Sequence, residues 1–121
     1  MEAPFYLTIL SAGAGAIAST VVSNIDIDTG TENVDSFPDI NGKGAFWSYI
    51  VSSGANLRSG IIMASWDAGT NAVVYTESST GDVGDTSGVS FSVDINTDNV
   101  RLRCTVGSDN WAVYAIRTLL G

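Results

Sequence analysis

Thirteen carboxylates against five bases, with no histidine anywhere, decide which chemistry this 121-residue chain can attempt. A Ser/His/Asp triad and a His-ligated zinc are both excluded, because each needs an imidazole. There is no Gly-x-Ser-x-Gly elbow and no phosphate loop, and the one lysine, Lys43, sits in a Gly-Lys-Gly turn. No catalytic residue and no cofactor is therefore assigned. The best oxygen-ligand spacing is Asp94-Ile95-Asn96-Thr97-Asp98, which matches the first, third and fifth positions of a calcium loop. The match stops at Asn99, where the sharp turn wants glycine, and at Thr105, where a bidentate Glu is wanted. Asp94, Asn96 and Asp98 are thus weak metal candidates, and a β-hairpin turn accounts for the same residues. The acidic stretches Asp26 to Glu32 and Asp82 to Asp85 read as solvated turns before they read as cation sites.

The aromatic and basic residues suggest recognition instead. Trp47, Trp66 and Trp111, with the four tyrosines Tyr6, Tyr49, Tyr75 and Tyr114, could offer flat faces on which a sugar stacks beside Asp and Asn partners, or they could fill a core or an interface. Four of the five bases are Arg58, Arg101, Arg103 and Arg117. They could reach acidic loops of a partner or pair across strands, as Asp94 would with Arg101. The interface or ligand candidates are Trp47, Tyr49, Trp66, Arg103 and Tyr114.

The elements that must position these residues are strands. Val, Ile and Thr total 33, whereas Leu, Glu, Lys and Gln total 10, with no Gln. β-Branched side chains suit a pleated, half-buried surface, and the scarce residues are the usual fillers of helix faces. The length gives room for one domain, and the −8 formal charge argues against nucleic acid, which needs a basic footprint. Cys104 is the only cysteine, so no intrachain disulfide can form. Ala3 to Ile25 is uncharged, but it contains Pro4, Gly13, Gly15 and Asn24 and follows Glu2, so membrane insertion and a cleaved leader are not expected.

Turn residues divide the chain into Phe5–Leu10, Ile17–Ile27, Asn33–Phe37, Ala45–Ser52, Leu57–Trp66, Ala72–Glu77, Val89–Ile95, Val100–Val106 and Trp111–Leu119. The expected fold is all-β: a single antiparallel, jelly-roll-like sandwich of eight or nine short strands, residues 1–44 supplying N-terminal strands or an arm and 45–119 the sandwich core. A loop at 96–99 pairs Ile95 with Val100, Asp94 with Arg101, Val93 with Leu102 and Phe91 with Cys104. A second hairpin around 107–110 sets Val106 against Trp111, Cys104 against Val113 and Arg103 against Tyr114, with Arg103, Tyr114 and Ile116 on one face. In Ala45–Ser52, Phe46 and Ile50 lie on one face and Trp47, Tyr49 and Val51 on the other. A strand apolar on both faces must be covered twice. The outer cover is a subunit interface or the N-terminal segment.

Read together, Phe46-Trp47-Ser48-Tyr49, Asn56-Leu57-Arg58-Ser59-Gly60, Trp66-Asp67, Tyr75-Thr76-Glu77, Gly81-Asp82-Val83-Gly84-Asp85-Thr86-Ser87, Phe91 to Ile95, Val100-Arg101-Leu102 and Trp111-Ala112-Val113 resemble a β module of structural proteins of tailed bacteriophages and prophages. The resemblance spans residues 45–119, and Gly-Asp-x-Gly-Asp-Thr-Ser is its most specific element. It implies a non-enzymatic virion component of tail-fibre, tail or head-decoration type, multimeric, with a homotrimer or larger symmetric assembly and other virion proteins as partners. It carries over no ligand residues. The residues themselves suggest that Asp82, Asp85 and Thr86 cap a loop feeding the Val89 strand. The rival reading is a receptor-binding module that grips host-surface glycan through tryptophans or acidic loops.

Overall fold

The computed structural model describes residues 17–121. Eight strands follow one another: β1 (Ile17–Ile27), β2 (Gly30–Pro38), β3 (Gly44–Ser53), β4 (Asn56–Asp67), β5 (Ala72–Ser79), β6 (Ser90–Asn96), β7 (Asn99–Val106) and β8 (Trp111–Leu120). One 3-10 turn, Asp39–Asn41, joins β2 to β3. The expected Phe5–Leu10 strand lies outside the described residues. Among the described residues, no helix is long and apolar enough to cross a membrane.

The strands form two antiparallel sheets, one ordered β1-β8-β3-β4-β5 and the other β2-β7-β6. The first two strands thus pair with the last two, β1 with β8 and β2 with β7, while β3, β4 and β5 run as a meander. Alternation explains the core. β7 buries Val100, Leu102, Cys104 and Val106 and leaves the intervening residues half-exposed. β3 turns Trp47, Tyr49 and Val51 inward to meet them, with Ile62 from β4 and Val113 from β8.

The β6–β7 hairpin has the expected register, including Asp94 opposite Arg101 and Phe91 opposite Cys104. Thr97 and Asp98 turn it with positive φ, 49° and 63°. The second expected hairpin does not exist: β7 and β8 belong to different sheets, and the free edge of β7 is taken by β2, with Gly30 opposite Val106 and Asn33 opposite Arg103. The loop 107–110 crosses between the sheets because its polar groups bond to the β1–β2 corner rather than across a turn. Asp109 accepts from the Thr29 amide and hydroxyl, both at 2.9 Å, and the Asn110 amide donates to Asp28. Cys104 and Trp111 are nevertheless core residues, as expected.

Two donor side chains tie the sheets together around an acid that would otherwise be costly inside. A bulge between Asn33 and Asp35 lets β2 turn Val34 and Asp35 inward in succession. Asp35 accepts from Trp47 Nε1 at 2.9 Å and from Arg117 Nη1 at 3.0 Å. The Arg117 guanidinium also lies 4.5 Å from the centre of the Phe37 ring.

Candidate functional site

The structure separates the sequence candidates into core, clamp and surface. The tryptophans face inward. Trp47 is fully buried with its indole on Asp35, Trp66 donates Nε1 to the Asp39 carbonyl at 2.9 Å, and Trp111 donates to Ser108 at 3.0 Å. None of the three presents a ring to a ligand. The calcium reading also gives way. Both Asp94 oxygens are held by Arg101 at 2.7 and 2.6 Å, Asn96 accepts from Thr97, and Asp98 sits in the turn. Among the described residues, no group of three or more acids or cysteines could hold a metal. Arg103 and Tyr114 do not share a face, because their strands lie in different sheets. Arg103 bonds Asn33 at 2.9 Å on the outside of the three-stranded sheet, and Tyr114 stands half-exposed on the outside of the five-stranded one.

Tyr49 belongs to a clamp that gathers most of the distinctive motifs. Arg58 on β4 reaches inward and donates Nε to the Tyr49 hydroxyl at 3.1 Å, Nη2 to Glu77 at 3.2 Å and Nη1 to the Thr86 hydroxyl at 3.0 Å. Tyr49 donates in turn to Glu77. Phe91 packs on this cluster, its ring 4.6 Å from that of Tyr49 and 6.0 Å from the Arg58 guanidinium. Fully buried Thr86 donates its amide and hydroxyl to Asp82, and the Ser87 amide donates to Asp85 at 2.8 Å. These are the expected Asx-type caps, and the Val89 amide closes the loop onto the Thr86 carbonyl. Bonds from the Thr86 hydroxyl and amide hold Asp82, and the bond from the Ser87 amide holds Asp85, below the usual carboxylate range. Gly84, at φ +74°, passes so close to Asn56 that a Cβ would meet its Oδ1 at 2.4 Å. Leu57 and Val83 pair by both backbone bonds beside it. Arg58, Asp82 and Thr86 are thus a fastening between β4, β5 and the loop before β6.

Directly behind the clamp lies the outer face of the five-stranded sheet. Registers place Val21, Ile116, Ser48, Ile61 and Ser78 in one row across it. The next row holds Ser23, Tyr114, Ile50 and Ser59, and another holds Ser19, Thr118, Phe46, Met63 and Thr76. These rows carry no charge, and their large side chains reach water: Phe46 is 44% exposed, Ile61 44% and Ile116 52%. Large and small residues alternate in the first row from Ile116 to Ser78, and in the other two Tyr114 with Ile50 and Phe46 with Met63 stand as paired ridges. A groove of about 820 Å³ runs over Ser48, Ser59 and Gly60 between Ile50, Ile61 and Ile116. Gly60 lines it with bare backbone, and on the inner side of the sheet a Cβ there would strike the Ser78 carbonyl at 2.5 Å and the Tyr49 hydroxyl at 2.9 Å. The two-faced character of β3 and the shared face of Tyr114 and Ile116 pointed to this surface; what the sequence did not show was that Ile61 and Met63 on β4 extend it.

No protein-family model matches the chain, and no match was found among curated proteins. Among solved structures, the tailspike protein of Acinetobacter baumannii phage AM24 is similar over 85% of this chain and 26% of its own, at 10% identity and a TM-score of 0.43. The tailspike protein of Acinetobacter phage vB_ApiP_P1 is similar over 97% of this chain and 24% of its own, at 18% identity and a TM-score of 0.38. The chain spans about a quarter of the length of each. At so low a TM-score, neither overlap assigns a fold or a role to this chain.

Proposed function

We propose that this chain is a non-enzymatic structural module of a tailed-phage virion, a tail-associated or head-decorating part that works by docking against other subunits of the particle. The observation that carries the reading is the set of uncharged, part-exposed apolar rows across the outer face of the five-stranded sheet, on a chain whose formal charge is −8. A soluble monomer rarely leaves so large an apolar surface uncovered. The clamp supports the module resemblance, because Arg58, Glu77, Asp82, Asp85 and Thr86 are spent on fastening the fold. Glycan binding, the alternative, has lost its tryptophans to the core and retains, among the described tyrosines, Tyr75 and Tyr114 at the surface.

Quantitative mass spectrometry of purified particles tests the reading. The chain is expected at a fixed, repeating copy number, and fractionating heads from tails assigns its position. Absence from particles whose producing cells contain the chain would refute it.

A further inference from the structure

We infer that the outer face of the five-stranded sheet is covered by further copies of this same chain. The inference rests on reading that face as an assembly surface, and goes beyond it by naming the occupant.

Three observations single out a second copy. The first is composition. Non-obligate interfaces are about as polar as the rest of a protein's surface, whereas subunit interfaces between identical chains are more apolar and depleted of charge. Across the rows through Val21, Tyr114 and Phe46 there is no charged residue at all. The second is extent. Five strands ~4.8 Å apart, with outward residues spread over ~30 Å of strand, give a face of about 700 Å². A pair of such faces hides about 1,400 Å², within the range of stable specific interfaces. The third is relief. Ile116, Ser48 and Ile61 alternate large and small across neighbouring strands, and in the next row Tyr114 and Ile50 stand side by side as a ridge with Ser23 and Ser59 low on either side. Two sheets interdigitate when ridges of one enter grooves of the other. On a chain of formal charge −8, a face that carries no charge is one through which identical chains can meet without bringing like charges together.

The test is light scattering on the full chain at low and high salt, comparing wild type with Ile61→Asp/Ile116→Asp and with Ser90→Asp on the opposite sheet. Wild type and Ser90→Asp are expected at a multiple of the single-chain mass, with association strengthened by salt as the acidic loops are screened. The double variant is expected at the single-chain mass, with unchanged fluorescence from the buried tryptophans showing that it is folded. A Ser48→Cys chain supplies a second readout, since its thiol should be shielded from a water-soluble reagent in the multimer and become reactive on dilution to monomer. A multimer that survives the double substitution overturns the inference. So does a wild type that stays single at every concentration. In that case a shielded Ser48→Cys thiol would mean that the chain's own first sixteen residues cover the face. A freely reactive one would leave the face to a different virion protein, with the assembly reading intact.

Discussion

Asp35 shows how one residue can join two sheets. It is 8% exposed, yet it is held by Trp47 and by Arg117, which is itself mostly buried. Removing one member of a buried pair strands the other's charge, which typically costs 3–5 kcal/mol. Arg117→Ala is therefore expected to lower unfolding stability by about 3–5 kcal/mol in urea titration, more than Arg103→Ala, whose partner is a surface asparagine. A loss below about 1 kcal/mol would show that water replaces the guanidinium. This arrangement was not legible in the sequence. Asp35 looks like an ordinary strand residue until the bulge after Asn33 turns it inward, and its partner is 82 residues away. The lone thiol was easier to place: alternation alone puts Cys104 in the core, and burial pushes its pKa up to about 12.

At the scale of elements, legibility followed sequence distance. Strand positions could be read from alternation between turn residues, and the β6–β7 register from a four-residue loop whose flanking residues match in pairs. The same reasoning failed for β7 and β8, because Asp28, Thr29 and Asp109 recruit loop 107–110 to a corner some 80 residues earlier. The clamp lay between these cases: its caps on Thr86 and Ser87 are local and were foreseen, while its grip by Arg58 is not local. Thr86→Val separates the two layers, keeping the shape while deleting the hydroxyl that bonds both Arg58 and Asp82. The expected loss is about 1–3 kcal/mol in thermal or chemical unfolding. Hydrogen exchange should rise first at the Leu57 and Val83 amides, which pair beside the clamp.

For the whole molecule, charge sets the pH range of stability. Asp82, Asp85, Asp94 and Asp109 all titrate below the ordinary value of 3.8, held by bonds from Thr86, Ser87, Arg101 and Thr29 respectively. Lowered carboxylates stabilise the fold above their unfolded pKa, and that contribution disappears as pH falls through the lower folded values. At the alkaline end, burial raises Tyr49 from 10.0 to about 12 and Cys104 from 9.0 to about 12. Raised acids stabilise below their unfolded pKa, so their contribution is lost as pH climbs from about 9 towards 12. Melting temperature should therefore form a plateau that falls below pH ~4 and above pH ~9. Cys104→Ser should trim the alkaline fall at its lower end; an unchanged alkaline limb would remove the thiol from the account. Ile17 pairs with Leu120 at the open end of the β1–β8 ladder. Tension applied through residues 17 and 120 would peel that ladder apart one rung at a time instead of shearing all its bonds together. Pulled in that direction the module is a zipper that yields at low force, so an assembly that bears mechanical load must clasp β1 from outside or carry the strain along another path.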